Sequence, residues 1–250
     1  MSIINSGLKN EINIINAINN KTYGELNDNL KLMMNYFCDS FSKILRFKAK
    51  KCEKYDKADI CITYKSRKYY ISLKNGTSSY LHCEYIKTFI LFLRKYGISE
   101  ETQKTLLYYH FGDCTLNGTG KKRYSRNEII KILGNKISKA NLELNSNKEL
   151  VRDFVIKCIF EGNKDHQQAA DYIYHGDENN GVMCSKKQIM NFIMRRNFDT
   201  LISPHIGPII INPYVRYVNF KELHPERRNI VCYNWRNLEN NMKNYLNKKY

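Results

Sequence analysis

Residues 57–76 read KADICITYKSRKYYISLKNG, and no other stretch constrains the fold as tightly. Two runs, 58–64 and 68–74, are short, rich in Ile, Tyr and Cys, and separated by the polar Lys65-Ser66-Arg67. β-Branched and aromatic residues in that arrangement predict a β-hairpin. On either side of it the apolar period is helical. Leu8, Ile12, Ile15 and Ile18 predict a helix over 8–20, and Leu26, Leu30, Met33, Phe37, Phe41 and Ile44 predict a second over 25–47. After the hairpin, Leu81, Tyr85, Phe89, Phe92 and Leu93 predict a helix over 80–96, and TLLYYHF at 105–111 reads as a third strand.

The second half is less regular. Ser125 with Glu128, Ser146 with Glu149 and Ser185 with Gln188 have capping-box spacing ahead of apolar runs, so three or more helices are expected between 126 and 196. Residues 112–125, GDCTLNGTGKKRYS, have a linker composition and place a boundary near 113. Runs at 207–212 and 229–235 predict a late pair of strands around Trp235, followed by a polar helix. The expected fold class is α/β (α+β): a core over 1–113 and a mainly helical region with a small β-element over 114–250.

The 250 residues suffice for a sizeable core. Lys and Arg number 41 against 24 Asp and Glu, a formal charge of +17 that favours an anionic partner. No run of about 18 apolar residues is present to span a membrane, and the N-terminus lacks a signal-peptide pattern; a soluble, cytoplasmic protein is the expectation. Eight cysteines without a C-x-x-C pair predict neither a zinc site nor a disulfide framework.

Two charges interrupt the hairpin. Asp59 lies near the start of the first strand, and Ser72 and Lys74, two residues apart, share one face at the end of the second. Antiparallel pairing brings a carboxylate, a hydroxyl and an ammonium to one edge, with Ile71 and Leu73 on the reverse side. Phosphodiester hydrolysis uses such a set: an oxygen ligand for a hard cation, and a positive group near the attacking water and the developing charge. Magnesium takes one or two carboxylates and keeps several waters, so few ligands suffice.

Read as D-x12-S-x-K, Asp59, Ser72 and Lys74 resemble the PD-(D/E)xK nuclease superfamily, over residues 8–113. Ala58 replaces the usual proline, and Ser72 stands at the position of the middle acid. The resemblance implies a restriction-endonuclease-like mixed sheet flanked by helices. It also implies Mg²⁺ (or Mn²⁺) as cofactor, DNA as partner, and a restriction or defence role in which a homodimer would cut both strands. Two residues are candidates for the missing carboxylate: Glu84, expected in the first turn of the helix over 80–96, and Glu11 of the N-terminal helix. A repair or junction-resolving nuclease shares this chemistry. A noncatalytic nucleic-acid-binding protein with a degenerate site is the rival reading.

Eleven Lys and Arg against three acids lie between 43 and 74, interleaved with aromatics, a pattern suited to a phosphate backbone. Lys57, Arg67, Lys68, Asn75 and His82 are the expected contacts near the site. In the second half Arg196, Arg216, Arg227 and Arg228 are candidates for reading base edges.

Overall fold

A computed structural model describes residues 6–76, 79–120, 123–162, 168–196, 198, 202–214 and 225–247. The chain forms two compact units. One comprises residues 1–79, 156–192 and 236–250, the other 80–155 and 193–235. Position 113, the boundary expected from the sequence, lies within the second unit.

In the first unit, helices α1 (Ser6–Ile18) and α2 (Asp28–Met34) precede strands β1 (Lys48–Lys51), β2 (Ile60–Tyr64) and β3 (Arg67–Lys74). The hairpin forms as expected. Lys65 and Ser66 both have positive φ, 48° and 63°, which is the two-residue turn whose twist matches antiparallel strands. The second helix is much shorter than its periodicity suggests. Asn27 caps its start by accepting from the Leu30 amide at 2.8 Å, and it ends at Met34. Beyond that, Phe37 stacks on Tyr69 at 4.2 Å and Phe41 on Tyr23 at 4.2 Å. These aromatics are drawn to the core from an irregular segment, and their spacing imitates a helix.

The sheet of this unit has the order β1-β2-β3-β5-β6, where β5 spans Tyr172–Gly176 and β6 spans Gly181–Ser185. Strand β5 runs parallel to β3 and the other pairings are antiparallel, so the sheet is mixed. Ile60, Ile62, Tyr64, Ile71, Leu73 and Tyr174 face Ile14 and Ile18 of α1 and Leu30, Met33 and Met34 of α2 in one buried cluster. On the reverse face the last helix of this unit, Leu238–Asn247, packs against β5 and β6.

The second unit holds β4 (from Tyr80 to the end of Ser79–Tyr85), α3 (Ile86–Lys95), α4 (Glu100–Phe111), α5 (Arg126–Leu133), α6 (Asn135–Ser146) and most of α7 (Lys148–Ile156). Helix α8 (Lys186–Met194) crosses the boundary between the units. Strands β7 (His205–Ile206), β8 (Ile209–Pro213) and β9 (Ile230–Trp235) complete a sheet of order β4-β9-β8-β7; the terminal helix of the first unit is α9.

Three local expectations change. Residues 105–111 are helical because capping outweighs their β-propensity: the Ser99 hydroxyl accepts from the Thr102 amide, Glu100 and Glu101 occupy the first turn, and Gly112 closes the helix at φ 64°. Residues 80–85 are a strand, and the helix begins only at Ile86. Asn147, not Ser146, caps α7, accepting from the Leu150 amide at 3.0 Å. Strands β8 and β9 pair as expected, and they run antiparallel, with Trp235 buried. Cys83 and Cys232 form a disulfide between β4 and β9; the pairing depends on strand adjacency, which cysteine spacing does not encode. Among the described residues no helix is long and apolar enough to cross a membrane.

Candidate active site

Asp59 is held by the sheet on both sides. Its amide donates to the Ile71 carbonyl at 2.9 Å, and its carbonyl accepts from the Cys52 amide at 3.0 Å. Alternation from the core-facing Ile60 and Ile71 turns Asp59, Ser72 and Lys74 to the opposite face. There they meet. Asp59 Oδ2 accepts from the Leu73 amide at 2.6 Å and from the Ser72 hydroxyl at 3.2 Å, and Lys74 Nζ lies 3.5 Å away. Lys74 Nζ also donates to the Leu73 carbonyl at 2.8 Å. Ser72 is buried, whereas the side chains of Lys74 and Asp59 keep 15% and 28% exposure. That exposure leaves both charged groups open to a ligand.

The donor set suits a hard cation. The Lys74 ammonium already rests between the Asp59 carboxylate and the Leu73 carbonyl, so these oxygens accommodate positive charge. Among the described residues no three His, Cys, Asp or Glu side chains are grouped to hold a metal ion. The oxygens this face offers a cation are the Asp59 carboxylate and the Leu73 carbonyl.

Glu11 does not join this face. Its carboxylate pairs with Lys51 at 2.7 Å, and Lys51 stands opposite Ile60, on the side of the sheet that α1 covers. Glu84 belongs to the second unit, on β4, where its buried carboxylate accepts from the Tyr233 hydroxyl at 2.6 Å. His82 stacks against the Tyr233 ring at 6.2 Å. Tyr233→Phe should destabilise the protein by about 1–3 kcal/mol, because it removes a donor from a buried carboxylate. Glu84→Gln keeps an acceptor and should cost less, which denaturant unfolding of the two variants will compare.

Lys57 sits beside the site, its amide donating to the Gln168 carbonyl at 2.9 Å. Burial pushes its ammonium down to about 7. Lys74 acts in the same direction, while Cys158 and Asp59 oppose it. Because the folded value lies below the unfolded one, the unfolded chain binds more protons above pH 7, and this group's contribution to stability rises with pH through that window. Relative to Lys57→Met, the wild type should gain up to about 1.4 kcal/mol per pH unit between about pH 7.5 and 9.5. Parallel stability curves for the two proteins would contradict this.

His175 is not among the residues expected from the sequence. It is the register partner of Lys74 on β5 and lies on the same face. Its Nε2 is 3.0 Å from the Gly76 carbonyl and its Nδ1 is 3.5 Å from Glu239, which also pairs with Lys243 at 2.6 Å. Burial lowers the His175 pKa, with Glu239 and Gly76 opposing. Its signal lay in the runs YIYHG and GVMCS around the turn-forming DENN.

The remaining expected contacts are dispersed. Lys68 lies on the Asp59 face, whereas Arg67 adjoins the hairpin turn, seven residues from Lys74 and so roughly 23 Å along the strand. Asn75 directly follows β3. In the second unit Arg227 lies over the Tyr214 ring at 5.7 Å, Arg228 donates to the Gly118 carbonyl at 3.1 Å, and the Arg196 amide donates to the Ile193 carbonyl at 3.2 Å. Arg216 lies outside the described residues.

No protein-family model and no curated protein matches the chain. Among solved structures, the chain is similar to restriction endonuclease MspI in complex with its cognate DNA. That match has a TM-score of 0.46 and 11% identity, and covers 75% of this chain and 70% of the other.

Proposed function

We propose that the protein is a metal-dependent endodeoxyribonuclease that hydrolyses DNA phosphodiester bonds at Asp59, Ser72 and Lys74. The observation that carries this reading is their convergence on one partly exposed face: Asp59 Oδ2 within 3.5 Å of Lys74 Nζ and 3.2 Å of the Ser72 hydroxyl. The formal charge of +17 supports an anionic substrate. Asp59 would hold Mg²⁺ or Mn²⁺, which when bound supplies charge neutralisation at the phosphoryl oxygens. Ser72 and the Leu73 amide fix the carboxylate rotamer. Lys74 places positive charge where the attacking water loses its proton and where charge accumulates on phosphorus oxygens.

The grouping of one carboxylate, with serine at the position of the second acid, favours one alternative, a DNA-binding protein without catalysis. Incubation of the purified protein with supercoiled and linear DNA, with Mg²⁺, Mn²⁺ or EDTA, separates the two. Metal-dependent nicking or cutting is the expected result. Salt-sensitive binding without strand breaks in either metal would sink the nuclease reading and leave the alternative.

A further inference from the structure

The face that carries Asp59, Ser72 and Lys74 extends past them toward the hairpin turn. Lys48, Thr63 and Lys68 lie side by side across β1, β2 and β3, and Lys50, Cys61 and Tyr70 form the next row toward Asp59. Alternation from Ala49, Ile60 and Ile62, which belong to the core on the other side, puts both rows on the Asp59 face. Lys48, Lys50 and Lys68 are exposed, and Thr63 and Tyr70 are partly exposed. Among the described residues none of these three lysines is in an ion pair. Lys51, one residue from Lys50, points the other way and is neutralised by Glu11.

The surface is bounded. At the β5 and β6 end, α9 covers the same face, bringing Glu239 to His175. Asp171, the carboxylate near Tyr70, is turned to the backbone and accepts from the Tyr70 amide at 3.0 Å. The rows hold no exposed aliphatic side chain, unlike a face built to enter lipid. Ammonium groups, a hydroxyl and an aromatic ring are what a nucleic-acid strand engages.

We propose that this open face of β1, β2 and β3 is a DNA-binding track. Lys48, Lys50 and Lys68 neutralise backbone phosphates, and Tyr70 offers its ring beside the strand as it enters the site. The inference rests on the nuclease reading for its direction, toward Asp59. Four residues separate Thr63 from Asp59, about 14 Å of strand, or roughly four base-pair rises of about 3.4 Å. The track therefore reaches about four nucleotides to one side of the target phosphate.

The test measures binding of the full chain to fluorescein-labelled duplex DNA in EDTA, across a salt series, so that cleavage plays no part. Lys48→Gln/Lys50→Gln/Lys68→Gln should weaken binding by about 10-fold or more at about 100 mM salt, and should flatten the slope of log K against log salt by about 0.9 for each phosphate that is no longer neutralised. Lys51→Gln, on the opposite face, should leave the slope unchanged. The track is overturned if the triple variant keeps the wild-type slope, if Lys51→Gln matches its loss, or if the wild type shows no salt-sensitive binding. A protein that binds through the three lysines yet cuts nothing in Mg²⁺ or Mn²⁺ keeps the track and loses the nuclease; cutting with an unchanged slope does the reverse.

Discussion

Lys74→Ala is expected to lower metal-dependent cleavage by about 10²–10³, with DNA binding reduced far less. The ammonium lies 2.8 Å from the Leu73 carbonyl and 3.5 Å from Asp59. It is preorganised rather than recruited, and removing one such positioned donor from a transition state costs about 2.7–4 kcal/mol. Lys74→Arg keeps the charge but spreads it over a larger, planar guanidinium, so it should recover binding without recovering the rate. Asp59 needs a gentler replacement. Its Oδ2 accepts from the Leu73 amide at 2.6 Å, so alanine would also disturb the strand. Asparagine preserves an acceptor there and should remove more than about 10³ of the rate at a stability cost under about 1 kcal/mol. Single-turnover cleavage measured beside equilibrium binding distinguishes the outcomes. Wild-type rates in both Lys74→Ala and Asp59→Asn would refute the assignment of the site.

The hairpin was legible because its signals are local. Period-two alternation, a polar turn and three charged or polar residues at fixed offsets define both the strands and the face that Asp59, Ser72 and Lys74 share. What escaped depends on partners distant in sequence. Strand β5 lies about a hundred residues beyond β3, and only the closing of the sheet makes His175 a neighbour of Lys74. Glu84 looked like a first-turn helix acid because Leu81, Tyr85 and Phe89 have helical spacing, yet Leu81 and Glu84 are buried in a strand that pairs with β9. Glu11 occupied a plausible helix, but the face of the sheet that α1 covers is decided by Ile14 and Ile18, not by the carboxylate. The same packing explains residues 35–47, where aromatics anchored on Tyr23, Tyr64 and Tyr69 produced a helical period without a helix.

Phe154→Ala is expected to give a large loss of stability, about 3–5 kcal/mol, the range for deleting a fully buried aromatic ring. Phe154 has no solvent exposure. Its ring meets Tyr233 edge-on at 4.9 Å and 81°, and Phe89 and Phe92 lie 5.8 Å and 6.0 Å away. A cavity there would strip apolar packing from three aromatic neighbours and leave Tyr233 less firmly supported, although its hydroxyl serves the buried Glu84. Phe154→Leu refills part of the space and should recover more than about half of the loss. Because Cys83–Cys232 joins the strands that carry Glu84 and Tyr233, denaturant unfolding should be run with and without reductant. The reduced protein is expected to show the same ordering of wild type, Leu and Ala. A Phe154→Ala cost under about 1 kcal/mol in both conditions would mean that α7 is held to β9 by something other than this aromatic cluster, and the support of the Glu84–Tyr233 pair would have to be sought elsewhere in that unit.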